Sequence, residues 1–178
     1  MSVNELQPEL PYRVRQRIGP WIDRAVRALG QEGHLVRREE YVGTVELSME
    51  ELESRLKDAG FVWDPASLYH YTPARTESDG SMAYRSSYLA DRQLHVLFFA
   101  QTPERIDVYA HDEYNWHRHP IKHFNQIDIR REQGAAEMRR GLDRLGVDYE
   151  HEPWPIRKLV HVAERLYQET LGSGVTTP

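Results

Sequence analysis

Between Arg105 and His123 the sequence reads RIDVYAHDEYNWHRHPIKH, and its first half alternates strictly enough to demand a β-strand. Successive side chains of an extended chain leave opposite faces. Ile106, Val108 and Ala110 therefore share one side, with Asp107, Tyr109, His111 and Glu113 on the other. Carried to the end of the segment, the polar register adds Asn115, His117 and His119, and a row of seven polar or ionisable groups lines one surface. Tyr114 and Trp116 continue the apolar register, which faces a core.

The preceding residues extend this strand into an antiparallel meander at about 81–111. Met82–Leu89 alternates, Ala90-Asp91-Arg92 turns the chain, and Gln93–Ala100 is the most apolar strand. Gln101–Glu104 then leads into Arg105. Pairing Phe98, Val96 and Leu94 with Ile106, Val108 and Ala110 keeps the apolar sets together, whereas a one-residue slip sets Phe98 beside Asp107. This register brings His95 near Tyr109. Leu97 and Phe99 share the His95 face, so that face is expected to be half covered.

Elsewhere the pattern is helical or mixed. Val14, Ile18, Ile22, Ala25, Val26 and Leu29 recur at helical spacing, interrupted by Gly19-Pro20 and ended by Gly30. Residues 40–47 read as a strand with Gly43 a bulge, and Ser48 with Glu51 forms a capping box for a helix that stops at Gly60. Residues 64–80 look irregular throughout, a length unusual in a compact domain unless the loop is functional. A helix from about Glu132 to Leu145 ends at Gly146, Val147–Tyr149 suggests a short strand, and a last helix follows Pro155.

This order implies an α+β fold: an antiparallel sheet of four to five strands with helices packed on it. A ferredoxin-like arrangement is compatible. The expected organisation is one domain over residues 12–172, with disordered ends at 1–11 and 173–178.

Composition excludes several function classes. The chain of 178 residues has no cysteine, so disulfides and thiolate metal sites are ruled out and a metal would need His and carboxylate ligands. The longest sustained apolar run, Val96–Ala100, is strand-sized, and no apolar leader opens the sequence. A soluble, cytoplasmic protein is the expectation. A net charge of -5 disfavours a dedicated nucleic-acid binder, whose affinity comes largely from phosphate neutralisation. Scattered glycines leave no phosphate loop.

Two constellations carry chemistry. His111, Glu113, His117 and His119, followed by His123, are imidazole and carboxylate donors suited to a divalent metal, though Pro120 prevents a helix from presenting His119 and His123 together. His95 and His111, brought close by the hairpin, are candidate acid–base residues. On their face, Tyr84, Tyr88 and Tyr109, with His70 and Arg75 from the 64–80 loop, would recognise a small molecule or a protein partner. The leading expectation is a non-catalytic binding module using that face. The alternatives are a hydrolase, metal-assisted through the His111–His123 segment, and a single-stranded nucleic-acid binder. The amphipathic terminal helices either cap the sheet or form a homodimer interface.

Overall fold

The hairpin that begins at Arg92 is the backbone of the architecture. The computed structural model describes residues 34–64, 70–72, 77–152 and 155–160, with single helical positions at 17, 21, 24, 25, 28, 162, 163 and 166. The expected disordered ends, and most of the expected first helix, lie outside the described residues. In chain order the elements are β1 (His34–Leu35), a 3-10 turn (Arg38–Glu40), β2 (Tyr41–Val45), α1 (Met49–Asp58), β3 (Val62–Trp63), β4 (His70–Tyr71), β5 (Gly80–Tyr84), β6 (Arg92–Thr102), β7 (Arg105–Tyr114), α2 (Pro120–Phe124), α3 (Arg131–Leu145) and β8 (Tyr149–Glu150). Residues 155–160 are helical again.

Six strands form one antiparallel sheet in the order β3-β5-β6-β7-β2-β8, and β1 pairs in parallel with β4 in a separate two-stranded sheet. The fold is α+β, as the element order implied. Its main sheet is one strand wider than expected because β3 and β8 are only two residues long, too short for a periodic signal. The bulge falls between Tyr41 and Gly43. The irregular segment 64–80 also hides β4, whose partner lies far back in the chain at β1.

One face of the sheet packs on α1 and α3. Val96, Phe98, Ile106, Val108 and Ala110 meet Leu52 and Leu56 of α1 and Ala135, Met138 and Leu142 of α3 in a dry core. α1 starts where Ser48 Oγ accepts from the Glu51 backbone N–H at 3.2 Å. α3 ends at Gly146, whose φ of +62° closes the helix with a left-handed residue. Gly134 settles how closely α3 approaches the sheet: a Cβ there would lie 2.3 Å from His111 Cα and from Asp112 N. Asp112 and Arg130 exchange backbone hydrogen bonds of 2.8 and 3.1 Å beside that contact.

The hairpin register differs from the expected one by two residues. Phe98 pairs with Val108, Val96 with Ala110, Leu97 with Tyr109, and His95 with His111. β6 runs on to Thr102, the turn shrinks to Pro103 and Glu104, and a bulge between Ala100 and Thr102 absorbs the remainder. An even shift preserves which residues share a face. It replaces Tyr109 by His111 as the partner of His95, and that exchange creates the site.

The other face is fully covered, not half covered. Val36, Tyr41, Leu97, Phe99 and Tyr109 make a small second core there. Arg157, from the helical residues 155–160, reaches Asp107 at 2.8 Å and Thr44 at 2.5 Å at one end of this face. β1, β4 and α2 bring His34, His70 and His123 over the middle of it.

Candidate metal centre

β6 and β7 supply the floor of the site. His95 and His111 are cross-strand partners with ring centroids 5.0 Å apart. β4 lowers His70 onto them, its ring 5.3 Å from His95 and 5.8 Å from His111. One nitrogen from each of His70, His95 and His111 lies within 4.8 Å of the other two, and all three side chains are buried. The three buried histidines are close enough to hold a metal ion. Ligand atoms around a tetrahedral ion with bonds of about 2.1 Å lie roughly 3.4 Å apart, so modest rotations of these rings bring them onto one ion.

Two buried carboxylates flank the rings. Glu113, on the same face of β7 as His111, sets Oε1 2.8 Å from His95 Nδ1 and Oε2 3.4 Å from His111 Nε2. Glu40, from the 3-10 turn before β2, sets Oε1 2.8 Å from His111 Nδ1. Despite these short distances, none of the four ring nitrogens of His95 and His111 completes a hydrogen bond of normal geometry among the described residues. Buried polar atoms are nearly always paired, and imidazole nitrogens left this way suit coordination.

Neighbouring groups fix the orientation of two further rings. His34 Nδ1 lies 2.6 Å from Gln126 Oε1, an oxygen that only accepts, so Nδ1 donates. That Nε2 faces Glu40 Oε1 at 3.4 Å. His123 Nδ1 likewise donates to the Tyr114 carbonyl at 3.2 Å, and its buried Nε2 has no hydrogen-bond partner among the described residues. A histidine held through one nitrogen with the other unpartnered, as at His123, is how metal-ligating rings are usually presented. Gln126 adopts a left-handed φ of 53°, so the turn after α2 carries backbone strain at the point where it grips His34.

The electrostatics reflect crowding of opposite charges out of water. Burial alone would push the Glu40 carboxyl up, but its contacts with His111 and His34 more than offset this and hold it below the usual carboxylate range. Burial opposes ionisation of Glu113 too, and the surrounding His95, His111 and His123 drive it well below its ordinary value. His111 is pushed up to about 10: desolvation is outweighed by Glu113 and Glu40 on its two sides. His70 moves the opposite way, well below the ordinary histidine value, because burial and the neighbouring rings disfavour its charge. At neutral pH His70 is an uncharged ring beside a charged pair.

Glu113 also joins a buried polar chain. Gln93 donates to Glu113 Oε1 at 2.8 Å and accepts from Arg85 Nε at 2.8 Å, and Arg85 Nη2 pairs with Asp64 at 2.8 Å. Asn115 accepts from Arg85 at 3.2 Å. This network holds Glu113 through Oε1, the oxygen that also faces His95.

Of the residues expected from sequence, His95, His111, Glu113 and His70 meet at this centre. His117 and His119 do not. β7 stops at Tyr114, and Asn115–Arg118 form a turn, so the alternation no longer dictates direction. His117 stacks between Tyr88 and Trp116, at 4.2 and 3.9 Å between ring centroids, and His119 pairs with surface Asp91 at 2.7 Å. The expected ligand face is also not assembled. Tyr84 packs on Phe61 on the helix side of the sheet, Tyr109 is buried against Tyr41 and Phe99, and Tyr88 stands apart with His117. Arg75 lies outside the described residues. Sequence reasoning missed Glu40 and His34: His34 lies outside any periodic segment, Glu40 only opens the strand read at 40–47, and the fold alone brings them to β7. The one local hint was an acidic pair, Glu39-Glu40, at the head of an apolar strand.

No protein-family model matches the chain, and neither a curated protein nor a solved structure matches it.

Proposed function

We propose that this protein is a metal-assisted hydrolase whose divalent first-row transition ion is held by His70, His95 and His111. The observation that carries the reading is the convergence of three buried imidazoles from three strands, with one nitrogen each within 4.8 Å of the others. Three histidines leave a coordination position open for water, the pattern of catalytic rather than structural zinc sites. A bound ion lowers the pKa of such a water to about 7. Glu113, within 3.4 Å of His111 and 2.8 Å of His95, is the group to take its proton. The donor set of nitrogen and oxygen without sulfur suits zinc, manganese, nickel or iron.

The test is metal content followed by hydrolysis. Protein stripped with chelator and reloaded with Zn, Mn, Ni or Fe(II) is expected to retain ion through gel filtration and to hydrolyse ester or phosphoester probes only when loaded. His95→Ala and His111→Ala are expected to lose both. Absence of retained ion in wild-type protein defeats the reading.

A structural ion is the second reading, favoured by one observation: His95 and His111 are 0% exposed. In that case the ion ties the β1–β4 sheet onto the main sheet, and loading raises the melting temperature without any hydrolysis.

A further inference from the structure

His111 is unusual in having a separate carboxylate at each ring nitrogen. Nδ1 is 2.8 Å from Glu40 Oε1, and Nε2 is 3.4 Å from Glu113 Oε2. Each of those oxygens has a second buried histidine: His34 Nε2 is 3.4 Å from Glu40 Oε1, and His123 Nδ1 is 3.3 Å from Glu113 Oε2. The cluster is thus two carboxylate-centred halves that share one imidazole. His70 stands between the halves, with ring centroids 5.1 Å from His34 and 5.3 Å from His95.

Counting donors leads the same way. Five histidines and two carboxylates exceed the four ligands a tetrahedral ion accepts. The Glu40 half is built for coordination in its own right. Its Oε2 is occupied by the Arg37 backbone N–H and lies 3.7 Å from Arg131 Nε, so Oε1 is the oxygen presented to His34 and His111. His34, tethered through Nδ1 to Gln126, turns its Nε2 toward the same oxygen. The 3.4 Å separation is that of two ligands on one tetrahedral ion with bonds of about 2.1 Å.

We infer that the site takes two divalent ions: one in the Glu113 half with His95 and His70, a second in the Glu40 half with His34, and His111 bridging them through its two ring nitrogens. The inference rests on the metal-centre reading above and adds the second ion and the bridge. On loading, His111 gives up both ring protons to solvent, and each nitrogen donates its pair to a different ion.

Titration of chelator-stripped wild-type protein with zinc, followed by calorimetry and elemental analysis, is expected to saturate at two equivalents. Glu40→Gln, which keeps the shape and removes the charge, is expected to saturate at one and to retain the Glu113-side ion. Copper supplies a readout that needs no variant: two Cu(II) ions across one imidazolate couple, so the isolated Cu(II) resonance seen at one equivalent weakens as the second is added. Saturation at one equivalent, or a copper signal that doubles without coupling, overturns the bridged pair while leaving a single-ion centre standing. No bound ion at all overturns both. Saturation of Glu40→Gln at two equivalents also overturns the assignment of the second ion to Glu40.

Discussion

His111 Nδ1 and Glu40 Oε1 meet at 2.8 Å with neither side chain in contact with solvent. Moving such charges out of water costs several kcal/mol per ion, and removing one partner leaves the other uncompensated. The larger hydrophobic core lies on the opposite face of the sheet, while the small core of Val36, Tyr41, Leu97, Phe99 and Tyr109 shares the face of this pair. The charges neutralise one another only while protons or metal ions sit among them.

That balance predicts a pH signature for the metal-free protein. His111 has its folded-state pKa raised from 6.5 to about 10. Its contribution to stability is complete below 6.5 and is lost as pH climbs through about 10. Glu113 and Glu40 are shifted the other way, so theirs is present above about 4.5 and lost as pH falls further. Melting temperature of stripped protein should therefore decline above pH 6.5 and below pH 4.5, and the lowered value of His70 already erodes stability as pH falls from 6.5 toward 4.5. Loading with zinc should flatten the alkaline limb, since the ion replaces the proton that His111 would otherwise lose. A stripped protein equally stable at pH 6.5 and pH 10 contradicts the assignment.

Substitutions within the β6–β7 hairpin and just after it separate the centre from its sequence neighbours. His95→Ala or His111→Ala should abolish the thermal stabilisation given by metal, which at a hundredfold excess over Kd is about 2.7 kcal/mol, or roughly 5–10 °C for a chain of this size. The double change His117→Ala with His119→Ala should leave that shift within error, because both side chains point away from the rings. Loss of metal response in the double variant would restore the ligand set that the alternation alone suggested.

The hairpin, its two faces and the helices around it were legible because each is written in local periodicity. Leu52 and Leu56, or Ala135, Met138 and Leu142, repeat at helical spacing and are buried as that spacing requires. His95, His111 and Glu113 were legible for the same reason. What stayed hidden is non-local. The two-residue strands that carry His34 and His70 pair across 36 residues, and Glu40 acquires its role only because β2 lies beside β7. The even register shift was hidden as well, since hydrophobic matching fixes the face but does not distinguish pairings two residues apart. His117 and His119 misled because alternation in the sequence outlasts the strand in the fold.

Asp64 and Arg85 form an ion pair with both side chains 0% exposed, linked through Gln93 to Glu113. Asp64→Asn should cost about 3–5 kcal/mol, the usual penalty for stranding one buried charge, read as a fall in denaturant midpoint at unchanged slope. Replacing both partners with apolar residues, Asp64→Leu with Arg85→Met, should recover most of that loss. The same double variant should weaken metal binding, because Glu113 then loses the network that pins it. Full metal affinity in a stable double variant would show that Glu113 needs no such support.

Two glycines on α3 offer the sharpest contrast between site and scaffold. At Gly134 an added methyl group meets His111 Cα, His111 C and Asp112 N, each at 2.3 Å, and all of these are main-chain atoms with no rotamer to move. Gly134→Ala must push α3 away from β7 or tilt β7 at the residue that carries the shared imidazole. Overpacking of this kind costs about 1–3 kcal/mol, and metal affinity should fall with it, since His111 is displaced relative to Glu40 and His70. At Gly141, two turns further along the same helix, an added Cβ meets nothing within 4 Å. Gly141→Ala should stabilise the protein by about 0.5–1 kcal/mol through helix propensity alone and leave metal binding untouched. Thermal melts and zinc titrations of the two variants should therefore move in opposite directions for stability and differ in affinity. Equal behaviour would mean that α3 does not set the position of His111.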